Sequence, residues 1–196
     1  IFILPMMIAP IVVGLVWRYM YNPQFGIINK TLKKWGFDSI PWLSSPDWAL
    51  PSVIIADIWQ WTPFIFILSL AALQSLPRSA LEAARIDGAS EWQQIYYIKI
   101  PLMMPVLVVA ALLRMIDAFK VLEVIFIMTN GGPGLSTEIL SLQIYKTAFV
   151  SWELGRAAAL SNILLAMVLV ITLIMFIYTK IRDARIARLQ AAAEQY

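Results

Sequence analysis

Polar side chains inside long apolar runs are the residues of this sequence that could do chemistry. Six of them stand out: Asp57, Gln60, Trp61, Arg114, Asp117 and Asn162. The first three stand at positions i, i+3 and i+4, so they share one face if their run is a helix. Carboxylates, amides and a guanidinium hydrogen-bond hydroxyl groups, and an indole ring covers C–H surface. We therefore predict that these six side chains line a path for a hydroxylated solute.

A structural interpretation of the same residues stays open. Arg114 and Asp117 are three positions apart, so they can pair along a helix, which lowers the cost of burying both charges. Trp61 can simply pack between helices. Asp57 favours the path, because an acidic side chain inside a membrane usually faces a cavity or a partner.

The residue types that are missing exclude several kinds of chemistry. The sequence has no Cys and no His, so it offers no disulfide, no thiolate nucleophile, no imidazole base and no usual zinc ligand set. The net charge is +3, but the basic residues gather mainly in the last segment instead of covering a face. We expect a protein that is not an enzyme, binds no metal and binds no nucleic acid.

The elements that position the polar residues are predicted to be membrane helices. Hydrophobic residues make up 61% of the chain and charged residues 14%, and the mean hydropathy is +0.76, values that indicate a bilayer protein. Four apolar runs are long enough to span, namely residues 1–21, 49–73, 102–128 and 154–179. The chain opens inside an apolar run without an initiator Met, so we expect a longer natural protein.

The basic tail at residues 180–196 predicts the orientation of the chain. Lys and Arg concentrate on the cytoplasmic side of membrane proteins, so we place this tail in the cytoplasm. Four spans then put residues 129–152 outside, residues 76–100 inside and residues 22–48 outside. We refer to residues 22–48 as the first outer loop and to residues 129–152 as the second outer loop. Lys30, Lys33 and Lys34 of the first outer loop run against this bias.

The second outer loop is predicted to turn at Gly131 to Gly134 and then to form a short amphipathic helix over residues 138–149, with Ser136 or Thr137 as its N-cap. Its glycines do not make a phosphate-binding loop, because no Gly-Lys-Ser/Thr follows and no strand precedes them.

An interior polar segment at residues 81–105 is rich in helix formers and charge. Glu82, Ala83 and Ala84 favour a helix, Gly88 permits a sharp turn, and residues 90–99 form a second helical patch. Two short helices that meet at a glycine make a rigid knob. Between two spans, such a knob is suited to dock a soluble protein.

This segment resembles the EAA motif of binding-protein-dependent ABC importers. The positions that carry the resemblance are Glu82, Ala83, Ala84, Gly88, Ile98, Ile100 and Pro101, with Ile100 where the motif usually has Leu. The run Asn130, Gly131, Gly132, Pro133 and Gly134, with Thr137 and Glu138, is similar to permeases for sugars and polyols, of the maltose, trehalose and glycerol-phosphate type. The resemblance covers almost the whole chain.

The resemblance implies an all-α membrane protein, a polytopic helical bundle with the type I ABC importer permease fold, with two more spans upstream. Residues 1–196 are then one transmembrane permease domain. Residues 76–100, here named the coupling segment, are implied to seat in a groove of an ATP-hydrolysing subunit. The residues of that contact are Glu82, Ala83, Ala84, Asp87 and Gly88. Asn130, Gly131, Gly132, Pro133 and Gly134 are implied to meet an extracytoplasmic binding protein.

The implied partners are two ATP-binding cassette subunits, a second permease chain expected to differ from this one, a solute-binding protein and the lipid bilayer. ATP and Mg would then be bound by the cassette subunits and no cofactor by this chain. The location is the cell membrane of a prokaryote, and the cargo is a sugar. Three alternatives stay open: a permease for a polyol phosphate, because Arg114 could meet a phosphate, a passive channel, and a non-transporting scaffold.

Overall fold

A computed structural model describes the backbone of residues 2–193 and the side chains of residues 2–180. Within these residues every regular element is a helix and none is a strand, which confirms the predicted all-α class. The helices are α1 (Leu4–Met7), α2 (Pro10–Met20), α3 (Ile27–Lys34), α4 (Pro46–Gln74), α5 (Arg78–Ile86), α6 (Glu91–Gln94), a π-helix (Ile95–Lys99), α7 (Ile100–Phe119), α8 (Glu123–Met128), α9 (Leu140–Phe149) and α10 (Leu154–Ala193).

Three helical stretches of the described chain are long and apolar enough to cross a membrane. They are Pro46–Gln74, Glu91–Phe119 and Leu154–Lys180, with mean hydropathies of 1.7, 2.0 and 2.7. The first and the last coincide with the predicted second and fourth spans, whereas Glu91–Phe119 overlaps the predicted third span only over residues 102–119. Pro51 and Pro63 both lie inside the first of these helices.

The predicted first span is not one continuous helix. It consists of the four-residue α1 and the eleven-residue α2, separated by extended backbone at Ile8 and Ala9. Pro10 starts α2 and has no N–H to donate to a preceding turn, so the helix restarts at this residue. At 1.5 Å per residue α2 is only about 16 Å long, roughly half of a hydrocarbon core.

The predicted third span also ends earlier than expected. Its helix stops at Phe119 instead of continuing to Met128, and α8 begins at Glu123 after a break. At the break the Ser141 hydroxyl donates to the Val121 carbonyl at 2.5 Å. A side chain 20 positions away therefore satisfies an acceptor that a continuous helix would have satisfied internally.

The described residues form two compact units, one of residues 2–67 and 120–161 and one of residues 68–119 and 162–193. The core of the first unit forms where α2 packs on α8. Gly14 permits this packing, because an added Cβ would lie 3.2 Å from Ile127 Cβ and 3.3 Å from Val124 Cα. The buried side chains of this core include Val13, Trp17, Tyr21, Val124, Ile125, Met128 and Leu142.

The second unit contains the coupling segment, which has the predicted form of two short helices joined at a glycine. After α5 the backbone turns at Gly88, whose φ of +77° lies in the left-handed region. Ser90 then caps α6 in a capping box with Gln93: the Ser90 hydroxyl accepts from the Gln93 N–H, and the Gln93 side chain accepts from the Ser90 N–H. The π-helix links α6 to α7.

Candidate functional site

The turn of the coupling segment is held by its own hydrogen bonds. The N–H of Gly88 donates to the Arg85 carbonyl at 3.1 Å, and the N–H of Ala89 donates to the Ala84 carbonyl at 2.9 Å. The Gln94 side chain donates to the Ala89 carbonyl at 3.0 Å from a buried position. These bonds satisfy carbonyls that a helix end would otherwise leave without a donor.

The predicted contact residues of the coupling segment do not all face outward. Glu82, Ala83, Asp87 and Gly88 are exposed, whereas Ala84 is 7% exposed and packs inside its own unit. Beside them Ile86, at 87% exposure, presents a large apolar side chain that is not among the predicted contact residues. The exposed surface therefore combines charge, small residues and an apolar side chain.

Three of the predicted path residues lie on α4 in the first unit. Asp57 and Trp61 are half-buried, and the Trp61 ring meets the Phe64 ring edge-on at 6.1 Å between centroids. Gln60 is 2% exposed, and its Nε2 donates to the Ile8 carbonyl at 3.1 Å.

The bond from Gln60 supports the break between α1 and α2. In a continuous helix the N–H of Val12 would donate to the Ile8 carbonyl, but here it donates to Ala9 at 2.9 Å. Gln60 supplies the missing donor to Ile8. Its Oε1 is buried and has no hydrogen-bond partner among the described residues.

The other three predicted path residues lie in the second unit. Arg114 Nη1 and Asp117 Oδ2 are 2.9 Å apart on α7, and their side chains are 17% and 46% exposed. Asn162 is exposed on α10. The predicted pairing along the helix is thus present, while the convergence of all six residues on one path stays a prediction.

The glycine-rich turn of the second outer loop is closed by hydroxyl groups. The Thr137 hydroxyl donates to the Gly132 carbonyl at 2.9 Å and lies 2.7 Å from the Thr129 hydroxyl. Thr137 is 1% exposed. Between Gly132 and Thr137, the residues Gly134 and Leu135 are exposed, and the Leu135 side chain is 78% exposed.

An ion pair lies over the same turn. Lys146 Nζ is 2.8 Å from Glu138 Oε2, and it also donates to the Asn130 carbonyl at 3.0 Å. A Cβ on Gly131 would overlap Glu138 Oε2 and would lie 3.0 Å from Lys146 Nζ, so this position accepts only glycine without rearrangement of the ion pair. Glu138 lies just before α9, and Lys146 lies within α9. These opposite charges, eight positions apart, were the sequence signal that could have revealed the ion pair.

The predicted cap of the following helix is wrong. α9 begins at Leu140, its N-cap residue is Ile139, and no side chain caps it. Thr137 cannot serve as the cap, because its hydroxyl is committed to the loop. Ser136 has a buried hydroxyl without a hydrogen-bond partner among the described residues.

The first outer loop is anchored by one buried amide. Asn29, on α3 and 1% exposed, exchanges two hydrogen bonds with the backbone of Ile40 at 3.0 and 3.1 Å. Its Oδ1 also accepts from Trp42 Nε1 at 3.0 Å. The Trp42 ring in turn packs 5.2 Å from the Tyr21 ring at the end of α2. These bonds and ring contacts order the loop.

A cleft of about 430 Å³ opens in the first unit where α2 meets both outer loops. Its wall includes Arg18, Asn22, Leu43, Ser44, Gly132 and Pro133. Arg18 is the one cation of the lining, and it donates from Nη1 to the Ile127 carbonyl at 3.0 Å. The sequence around Arg18 gives no local signal for this contact, because the Ile127 carbonyl is 109 positions away.

Apolar helices of spanning length, joined by an ordered glycine-rich loop and an exposed helix-turn-helix segment, define a polytopic membrane protein. Residues 1–188 match the family described as the binding-protein-dependent transport system inner membrane component. The chain belongs to this family, and the predicted resemblance is confirmed.

Two similar proteins and one solved structure show which members of this family the chain resembles. A "probable ABC transporter permease protein" of Sinorhizobium fredii is 42% identical over 170 residues, which is 87% of this chain and 55% of that protein. The trehalose/maltose transport system permease of Thermococcus litoralis is 37% identical over 174 residues, which is 89% of this chain and 59% of that protein. The chain thus spans less than two thirds of the length of these relatives.

The solved structure is a bacterial alginate ABC transporter in complex with an alginate pentasaccharide-bound periplasmic protein. Its matching chain has a TM-score of 0.81 and 28% identity, covering 89% of this chain and 61% of that one. The fold is therefore that of the ABC importer permeases, as predicted.

Proposed function

We propose that this chain is part of the permease subunit of an ATP-binding cassette importer that moves a sugar across the cell membrane of a prokaryote. The observation that carries the proposal is the 37% identity to a trehalose/maltose permease over 89% of the chain. The polar side chains of α4, α7 and α10 support it, because carboxylate, amide and indole groups suit a polyhydroxyl cargo.

The coupling segment is the proposed contact with the ATP-hydrolysing subunit. Its exposed Glu82 and Asp87 offer charge, and Ala83 and Gly88 permit close approach. The turn at Gly88 is internally hydrogen-bonded, so a movement of the cassette subunit is transmitted to α7 as a rigid displacement. ATP and Mg are bound by two such subunits, and this chain itself is not an enzyme.

The second outer loop is the proposed contact with the solute-binding protein. The turn from Asn130 to Gly134 is held by Thr137 and Lys146, so it presents a fixed shape to its partner. The exposed Leu135 at its tip adds apolar contact area. A second permease chain completes the path through which the sugar passes.

Ligand-stimulated ATP hydrolysis by the reconstituted assembly tests this function. Mono- and disaccharides and polyol phosphates are each presented with the solute-binding protein, and hydrolysis and uptake are measured. We expect a sugar to stimulate both. Solute flux that needs no ATP would instead identify a channel, and a chain that neither transports nor co-purifies with an ATPase would be a scaffold.

A polyol phosphate is the second candidate cargo. It would need positive charge in the path, and Arg114 is the candidate residue. Because Asp117 lies 2.9 Å from Arg114 and offsets its charge, the path has less net attraction for a phosphate. Because of this ion pair, we prefer an uncharged sugar over a polyol phosphate as the cargo.

A further inference from the structure

We propose that the cleft between α2 and the two outer loops receives an acidic side chain of the extracytoplasmic solute-binding protein, with Arg18 as its anchor. The inference rests on the proposed function, because it requires such a protein to dock on this face. It adds a named electrostatic contact to the glycine-rich loop.

The lining of the cleft offers donors and a positive charge. Arg18, Asn22 and Ser44 contribute a guanidinium, an amide and a hydroxyl group. None of the lining residues, all of which belong to the described chain, is acidic. The side-chain oxygen Oδ1 of Asn22 is already occupied, since it accepts from the backbone N–H of Gln24 and of Phe25 at 2.9 and 3.2 Å. A carboxylate complements such a surface better than a cation or a neutral donor.

Arg18 is held in position for this contact. It lies in the last turn of α2, and one of its five N–H groups is fixed on the Ile127 carbonyl in the last turn of α8. This bond orients the planar guanidinium, so less side-chain freedom is lost when a carboxylate binds the remaining N–H groups.

The position of the cleft selects a protein partner over a free anion. Gly132 and Pro133 are part of its wall and also part of the turn proposed to meet the solute-binding protein. The exposed Leu135 projects from the same turn. A single partner surface with one acidic and one apolar side chain can therefore engage the cleft and the loop tip together. Such a charged contact mainly sets association and its dependence on salt.

The test uses the complete transporter in nanodiscs, titrated with its ligand-loaded solute-binding protein at low and high salt while ATP hydrolysis is measured. Three variants lower the charge of the outer face by one: Arg18→Gln, Ser44→Asp and Lys34→Gln. The first two change the cleft lining, and Lys34 is an exposed control outside it. We expect Arg18→Gln to raise the half-saturating concentration of binding protein about 5-fold and to weaken its salt dependence. Ser44→Asp should raise the half-saturating concentration by roughly the same factor or more, because the new carboxylate repels the acidic side chain of the binding protein.

The maximal hydrolysis rate should stay unchanged in both cleft variants, which separates docking from coupling. Ser44 is exposed, so its variant keeps the inference testable if Arg18→Gln lowers the yield of folded protein. Half-saturating concentrations equal to that of Lys34→Gln in both cleft variants would overturn the inference alone. Competition by free glucuronate or by anionic lipid would overturn the assignment to a protein partner. A wild-type transporter that ignores every binding protein would overturn the proposed function and the inference with it.

Discussion

Gly131 and Gly134 show how two residues of the same type differ in what they tolerate. Both have positive φ angles, +92° and +60°, which favour glycine. A Cβ on Gly131 would overlap the end of the Glu138 side chain and contact Lys146 Nζ at 3.0 Å, whereas a Cβ on Gly134 would meet nothing within 4 Å. Backbone strain therefore opposes a side chain at both positions, whereas overlap with neighbouring atoms opposes it only at Gly131.

We therefore expect Gly131→Ala to weaken binding-protein docking more than Gly134→Ala. The first replacement displaces the ion pair over the turn, and the second costs only the left-handed backbone, about 1 to 2 kcal/mol. Binding-protein titration of ATP hydrolysis measures the effect. Equal half-saturating concentrations for the two variants would show that the ion pair does not hold the turn.

Gly88 gives a residue-scale prediction for coupling. A Cβ at this position meets no atom within 4 Å, but its φ is +77°, so only the backbone conformation opposes a side chain. Gly88→Ala should lower uptake per ATP hydrolysed, and Gly88→Asn should lower it less, because Asn tolerates this conformation better. Uptake and ATP hydrolysis, measured in the same preparation, give the uptake per ATP for each variant. A ratio for Gly88→Asn at or below that for Gly88→Ala would contradict the expected order.

At the scale of elements, the sequence predicted helices well where apolar runs were long. The span at α4 and the last span follow from length and hydropathy alone. Pro10 is a local signal for the break at Ile8, but the donors that satisfy the freed carbonyls of Ile8 and Val121 could not be predicted, because Gln60 and Ser141 are distant in the sequence. Local pattern does not contain such pairings.

The break between α1 and α2 should depend on Gln60. Gln60→Met leaves the Ile8 carbonyl without a donor and removes a buried unpaired oxygen, so we expect a net loss of about 1 kcal/mol. Gln60→Glu should cost more at neutral pH, since a carboxylate would face a carbonyl oxygen. Thermal unfolding in nanodiscs, with Gln74→Met as the exposed control, tests this order.

The first outer loop should depend on Asn29 in the same way. Asn29→Ala removes three hydrogen bonds to Ile40 and Trp42, so we expect a loss of roughly 2 to 4 kcal/mol. Asn29→Asp keeps the acceptor for Ile40 and Trp42 and should cost less. Unfolding temperature and protease cleavage within the loop measure both variants. A cleavage rate unchanged in Asn29→Ala would mean that the ring contacts alone order the loop.

At the scale of the whole molecule, orientation in the membrane is the prediction on which the assigned contacts depend. The chain contains no Cys, so single Cys residues can report each side without background labelling. Arg85→Cys in the coupling segment should react with an impermeant maleimide only after the membrane is opened. Lys34→Cys in the first outer loop should react in intact cells. The reverse pattern would place the coupling segment outside and contradict the proposed contacts.

The local geometry of the motif residues followed from the sequence, whereas the cleft did not. Glu82, Gly88 and the turn at Gly131 lie within short motifs, so their local geometry could be predicted. The cleft at Arg18 is assembled from three separate chain segments. Whether Asp57 and Arg114 share one path likewise depends on tertiary packing that spacing along the chain does not determine.

The hydrogen-bonded turn of the coupling segment has a thermodynamic consequence. Fixing the backbone of residues 87–90 from a disordered state would cost about 4 to 8 kcal/mol of conformational entropy, at roughly 1 to 2 kcal/mol per residue. Because the bonds at Gly88, Ala89 and Ser90 already order these residues within the chain, a partner that binds them is spared that loss. A modest contact area then suffices for an association that has to be made and released in every turnover.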